Sequence, residues 1–485
     1  MTTETPILTT DFACVINGVD IATESWIDVL DPGTSQPFAR VPDAGATEID
    51  SAVKAARAAA PGWAATPPVV RGRILRAISA LITERREELA RFESMDTGKP
   101  LRQAYADVDV AARYFEFYAS IGETLFGDTM GLSPDHFAYT LREPLGVAGH
   151  IVPWNYPLQI SARTVAPALA AGNTSVLKPA EEAPLGAILL ARIAREAGLP
   201  AGVFNVVTGY GDTAGAALAA HPGINHMSFT GSNEVGALVT IAAAHNHIPV
   251  VLELGGKSPN IVFADADLDL AIPMIANAIV QNAGQTCSAG SRLLVEASIH
   301  AELVERLTTA FAAITLGVGL DNQELGPLIS AKQRDRVVSL VSGAIADGQG
   351  VLRTGGKVPP ALADQGFFYE PTLIDNVDPT AEIAQVEVFG PVLVVTPFDD
   401  EAQALAFANG TDYGLIAGVW TRDVGRAHRM ARGIEAGQVF VNTYGAGGGV
   451  ELPFGGVKKS GHGREKGVEA MIGYTQLKSV VVRIS

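Results

Sequence analysis

The feature that most constrains the fold is an alternation between Gly146 and Gly255. Short β-branched runs (Val147 to Val152, Thr174 to Leu177, Val203 to Val207, His226 to Phe229 and Val250 to Leu254) are separated by stretches with helical spacing. Alternation of this kind predicts βαβ units and a mostly parallel sheet. A second alternating block runs from Asn260 to about Val441, with strands expected at Ile261 to Phe263, Arg292 to Val295, Val392 to Phe398 and Gly418 to Thr421. It predicts a second α/β domain. From about Ala46 to Ala119 the chain is Ala-rich, with apolar residues such as Ile74, Ile78, Leu81 and Ile82 at helical spacing. This lead-in is expected to be helical, with interruptions at Pro61 and at the Gly98-Lys99-Pro100 turn. Two segments, about Glu123 to Arg142 and Gly473 to Ile484, read as extended and stand outside both blocks. Strands of that kind often pair with another subunit.

A chain of 485 residues exceeds what one hydrophobic core usually supports, so two or three domains are expected. With 47% apolar and 18% charged residues, disorder is excluded. The balance of 35 basic against 52 acidic residues gives a net charge of −17, which repels phosphate backbones and anionic membranes. No local basic patch reverses it, so neither a nucleic acid nor a membrane is expected as a partner. Met1 to Asp11 lacks the basic start and apolar run of a signal peptide, and no stretch approaches the roughly 18 apolar residues of a membrane span. A cytoplasmic location is the resulting expectation. The two cysteines, Cys14 and Cys287, are too few for a disulfide framework or a four-ligand zinc site, and no metal is expected. Special chemistry falls to a single thiol.

Cys287 lies among small residues in Gly284-Gln285-Thr286-Cys287-Ser288, after the apolar helical stretch Ile272 to Val280. A free cysteine is more often an inert core residue, and a reactive one needs help to ionise near neutral pH. Glu253 ends a very apolar strand and is followed by Gly255 and Gly256. It is either solvated at the strand end or buried, and burial would raise its pKa toward the range of a general base. In Pro153-Trp154-Asn155-Tyr156-Pro157, Asn155 is either a turn residue or a rigid amide donor for an oxyanion. Lys178 and Glu181 follow one strand, while Gly231 and Ser232 follow another and open a helix whose free amides suit a pyrophosphate. Glycines 209, 211 and 215 depart from the usual G-x-G-x-x-G spacing, so that loop is read as a turn.

These segments resemble, in order and over nearly the whole chain, the aldehyde dehydrogenase superfamily. Further segments that carry the resemblance are Glu387-Val388-Phe389-Gly390-Pro391 and Pro453-Phe454-Gly455-Gly456. It implies an α/β chain with a modified Rossmann-type NAD(P)-binding domain (1–122 and 146–253), a catalytic domain (254–459) and a small β oligomerisation domain (123–145 and 460–485). It further implies Cys287 as nucleophile, Glu253 as general base, and Asn155 with the Cys287 amide as oxyanion hole. Lys178 and Glu181 would bind the adenosine ribose, Trp154, Gly231 and Ser232 the pyrophosphate region, and Glu387 with Phe389 the nicotinamide ribose. Glu465 matches a position proposed to relay protons from the base, although by itself it reads as an exposed glutamate in a salt bridge.

The resemblance implies oxidation of an aldehyde to its acid through a cysteine thioester, in a homodimer or homotetramer. A glutamate at position 253 argues for hydrolysis rather than transfer to coenzyme A, and intact site residues argue against a non-catalytic use of the scaffold. Glu181 is expected to favour NAD over NADP, with NADP possible. Arg163, eight positions after Asn155, stands where succinate-semialdehyde enzymes carry a carboxylate-binding arginine, but the second arginine of those enzymes is replaced here by Gln281. Arg163 can instead pair with a nearby acid and shape the tunnel. Tyr156, Ser288 and the run Gly445 to Gly449 leave room for a bulky group, so an aromatic or polar-substituted aldehyde is expected.

Overall fold

The structure is a computed structural model that describes residues 10–445 and 449–484. Five strands of the first alternating block form the parallel centre of an eight-stranded sheet. Their spatial order is Val250–Glu253, His226–Thr230, Val147–Val152, Thr174–Pro179 and Phe204–Val206. The order reverses beside Val147–Val152, so the connecting helices diverge there and leave a crevice at the carboxyl ends of the strands. Val147–Val152 and Thr174–Pro179 are covered on both faces, which is why their sequences are apolar runs rather than alternating ones. The second block forms a seven-stranded sheet in the order Val351–Thr354, Thr372–Asp375, Val392–Phe398, Arg292–Glu296, Pro259–Val262, Ile416–Trp420 and Gln438–Val441. Only its first pair is antiparallel.

The lead-in is helical, as Ala46–Ala65, Pro68–Glu84, Arg86–Thr97 and Leu101–Ile121. Pro61 does not interrupt it. This residue lies inside the first helix on its exposed side, where the carbonyl left without an N–H partner can be hydrated. The expected extended segment from Glu123 begins as a 3-10 turn, Gly122–Thr124, and becomes strand at Thr129–Met130 and His136–Pro144. Thr475–Arg483 pairs antiparallel with His136–Pro144. Phe137, Leu141, Leu477 and Val481 of these two strands are exposed. Gly461–His462 belongs elsewhere, pairing antiparallel with Val250–Glu253 at the edge of the eight-stranded sheet. The other edge is Cys14–Ile16 and Val19–Ile21, short strands with no periodic signature. Gly211–Gly215 forms a π-helical turn that leads into the helix Ala216–Ala219.

Only Leu254 to Ser258 separate the last parallel strand of the first sheet from Pro259–Val262 of the second. A link this short sets the carboxyl edge of one sheet against the amino edge of the other. The cleft between them holds the residues described next.

Candidate functional site

Strand ends place the candidates. After Val152 the chain turns through Trp154 and Asn155 and starts the helix Pro157–Ala171, with proline in its first turn. Thr230 and Glu253 are register partners at the ends of adjacent strands, and Lys178 lies opposite Ile151. All these groups therefore reach the same edge. Ser232 caps the helix Asn233–Ala244, its hydroxyl accepting from the Val235 amide at 3.3 Å, and Gly231 N–H donates to the Glu253 carbonyl at 3.1 Å. The first-turn amides and the positive end of the helix dipole face outward at an exposed position, which suits a pyrophosphate. Lys178 and Glu181 form an ion pair of 2.8 Å at the end of Thr174–Pro179. Glu387 accepts from the Gly256 amide at 3.0 Å, and burial pushes its carboxyl up to about 7. Phe389, with φ of 58°, meets the Trp154 ring edge-on at 5.3 Å. Charged, hydroxyl and aromatic groups along this strand edge and on the loop facing it from the other sheet fit a dinucleotide.

Beyond this edge, Cys287 opens into a cavity of about 400 Å³ whose wall includes Asn155, Tyr156, Arg163, Gln281 and Ser288. The helix Leu268–Val280 carries the chain to it, and Asn282, Ala283 and Gly284 then take successive left-handed conformations with φ of 50°, 54° and 72°. A Cβ at Gly284 would lie 2.0 Å from the Gly390 carbonyl oxygen, so only glycine lets the two loops approach. Gly256 is similar: a Cβ there would lie 2.4 Å from the Cys287 carbonyl oxygen. Hydroxyls anchor both neighbours of Cys287, since Tyr156 bonds the Thr286 side chain at 2.8 Å and Tyr444 donates to the Ser288 carbonyl at 2.9 Å. The Cys287 side chain is half-buried, whereas Cys14 is fully buried in the core beside Thr208. Burial pushes the Cys287 thiol up to about 12, against the pull of Arg163. Its ionisation therefore requires a proton acceptor or an added positive charge nearby.

Asn155 is held at both ends. Its amide donates to the Gln285 carbonyl at 2.9 Å, and its own carbonyl accepts from Asn282 at 2.8 Å and Lys99 at 3.0 Å. One amide hydrogen remains for a ligand. Lys99 is completely buried, with Glu93 at 3.1 Å and Asp107 at 2.5 Å. Burial raises the Asp107 carboxyl against the pull of Lys99. This cluster supports the site, yet in the sequence its lysine marks only a turn, and no other local signal distinguishes it.

Glu253 is buried, and neither of its carboxylate oxygens has a hydrogen-bond partner among the described residues. Burial, then Glu465, pushes its pKa well above the usual carboxylate range, while Arg163 opposes the shift. Glu465 is not the exposed group expected of a charged Gly-Arg-Glu triplet. Only 3% of it is exposed; it accepts from the Ser228 hydroxyl at 2.9 Å and forms an ion pair with Arg163. Its burial follows from a two-way backbone bridge between Glu465 and Phe454, which draws the segment under the cavity wall. Arg163 rides on a helix with 14 of its 15 residues buried, so its charge needs that partner. The guanidinium also lies 5.3 Å from the centre of the Phe454 ring. Gln281 is exposed at the cavity wall and Ser288 is half-buried. Of the expected Gly445 to Gly449 opening, residues 446–448 lie outside the described residues.

Known proteins share this fold. Residues 19–480 match the aldehyde dehydrogenase family. The chain is 44% identical to betaine aldehyde dehydrogenase of Sinorhizobium fredii over 461 residues, covering 94% of this chain and 93% of that protein. It is 42% identical to human retinal dehydrogenase 2 over 462 residues, covering 94% and 88% of the two chains. An NAD+ complex of aldehyde dehydrogenase from Bacillus cereus superposes with a TM-score of 0.96 at 39% identity, covering 98% of this chain and 97% of that one. With the cysteine, the buried glutamate and the asparagine gathered around one cleft of this fold, the chain belongs to the aldehyde dehydrogenase family of oxidoreductases.

Proposed function

We infer that the protein oxidises an aldehyde to its carboxylic acid with NAD, using Cys287 as nucleophile, Glu253 as general base and Asn155 as oxyanion donor. The observation that carries this reading is the opening of a half-buried thiol into the same cavity as a clamped asparagine amide, near a buried carboxylate that has no hydrogen-bond partner among the described residues. Cys287 attacks the carbonyl carbon as the thiolate, its proton released to water, and the C=O π bond opens to give a tetrahedral oxyanion. The remaining Asn155 amide hydrogen, fixed before reaction, stabilises that charge by about 3–4 kcal/mol. NAD, when bound, supplies the hydride acceptor. Glu253 then takes a proton from the water that hydrolyses the thioester, a role suited to a carboxyl whose pKa is raised by burial. We assign Glu465, bonded to Ser228 and Arg163, as the group that would relay protons away from Glu253.

NAD would be held by Lys178, Glu181, Gly231 and Ser232 at its adenosine and pyrophosphate end, and by Trp154, Glu387 and Phe389 near the nicotinamide. The Glu181 carboxylate favours a free 2′-hydroxyl over a 2′-phosphate, so NAD is preferred and NADP is the weaker substrate. Engagement of Arg163 by Glu465 weighs against a succinate-semialdehyde enzyme that uses Arg163, and favours a larger polar or aromatic aldehyde. The exposed apolar residues on His136–Pro144 and Thr475–Arg483 support a homodimer or homotetramer. The test is the initial rate of NADH formation with propanal, benzaldehyde and succinic semialdehyde. Turnover that vanishes in Cys287→Ala is expected; turnover that survives in it refutes the mechanism.

A further inference from the structure

The cavity wall contains two cations that differ in one respect. Arg163 is spent on Glu465. Lys466, the next residue along the chain, also lines the cavity, and its ammonium lies 5.2 Å from the centre of the same Phe454 ring. No carboxylate among the described residues lies within ion-pair distance of it: Glu253 attracts it without contact, Glu465 is held by Arg163 and Ser228, Asp107 by Lys99 at 2.5 Å, and Glu451 by Arg113 at 2.5 Å. Lys466 is also placed firmly. Its backbone has φ of 59°, a left-handed conformation that glycine adopts more cheaply. On one side Glu465 is bridged to Phe454, and on the other Gly467 N–H donates to Val450 at 2.8 Å while its carbonyl accepts from Tyr118 at 3.0 Å. These contacts keep the lysine at the wall.

An unpaired ammonium in a half-buried cavity is a site for an anion, because removal from water strengthens its attraction to one. We propose that Lys466 is the anion-binding residue of the substrate cavity, and that the preferred aldehydes carry a carboxylate. This rests on the aldehyde-oxidising reading above and adds the class of substrate. Partial burial lowers the ammonium only to about 8, so it stays largely protonated at neutral pH.

The test compares kcat/KM, with saturating NAD, within two matched pairs: 4-carboxybenzaldehyde against benzaldehyde, and succinic semialdehyde against butanal. The wild type is expected to favour the carboxylate in at least one pair. In Lys466→Gln that ratio should fall tenfold or more, chiefly through KM, and in Lys466→Arg it should stay within threefold of wild type. Because each ratio is taken within one protein preparation, partial misfolding cancels. A wild-type preference for the neutral member of both pairs overturns the proposal. So does a ratio unmoved by Lys466→Gln, or one that collapses only in Arg163→Gln; in each of these cases aldehyde oxidation itself stands. A wild type that oxidises none of the four overturns the enzymatic reading and this assignment with it.

Discussion

Lys99→Met is the most informative single perturbation of the scaffold. The wild-type ammonium spends all three of its N–H groups on Glu93, Asp107 and the Asn155 carbonyl, with no solvent contact. Methionine fills similar volume but leaves two carboxyl groups buried without a counter-charge. Breaking a buried pair in this way costs roughly 3–5 kcal/mol. At roughly 2–4 °C per kcal/mol for a cooperative unit of 150–250 residues, the melting temperature should fall by about 6–20 °C. Thermal unfolding followed by circular dichroism at fixed protein concentration measures this. The double variant Lys99→Met/Asp107→Leu removes one of the stranded carboxyl groups and should regain part of the loss, because apolar replacement of a buried pair is often neutral or better. Both variants release one tether on Asn155, so kcat should fall in both. A single-variant shift below about 2 °C, or a double variant no more stable than the single, would refute the argument that buried charge pairing holds this corner.

Four other outcomes are expected. Asn155→Ala should lower kcat by roughly a hundredfold to a thousandfold with a smaller change in KM, as measured by steady-state NADH formation, because the lost donor acts on the developing oxyanion. Glu253→Gln should form about one NADH per site in a stopped-flow burst and then stall, since hydride loss precedes hydrolysis; steady turnover without a burst would contradict the assignment. The raised pKa of Glu253 means the base is protonated at pH values where an ordinary carboxylate is ionised. Hydrolysis should therefore decline as pH falls through a midpoint well above 4.5, visible in a kcat–pH profile. Truncation before Gly473 removes Thr475–Arg483 and should lower the sedimentation coefficient through dissociation; an unchanged value would place the subunit contact elsewhere.

The parallel strands were legible because strands covered on both faces must be continuous apolar runs, and helix-length intervals between them admit few arrangements. Cys14–Ile16 was not, being three residues long and defined by pairing with Val206 far along the chain. Gly461–His462 escaped for the same reason. Cys287, Glu253 and Asn155 were singled out by resemblance, Glu253 and Asn155 also by strand ends and Cys287 by the apolar helix before it, and the structure adds what surrounds them. The burial of Glu465 was illegible, because in Gly463-Arg464-Glu465-Lys466 every local rule points to a solvated surface and only the bridge to Phe454 draws it inward. Lys99 was hidden by a true reading: Gly98-Lys99-Pro100 is a turn, and the turn is what delivers the ammonium to the interior.

The five residues Leu254 to Ser258 carry a consequence for how activity can arise at all. Glu253 ends one sheet and Cys287 precedes a strand of the other, so neither sheet with its helices contains both of the groups proposed to react. A nascent or partly unfolded chain can hold complete secondary structure and remain chemically silent, its thiol still far from the proposed base for hydrolysis. Recovered turnover after refolding is therefore a gauge of docking between the two halves, and a substitution that loosens only the seam can silence the enzyme while each half stays intact.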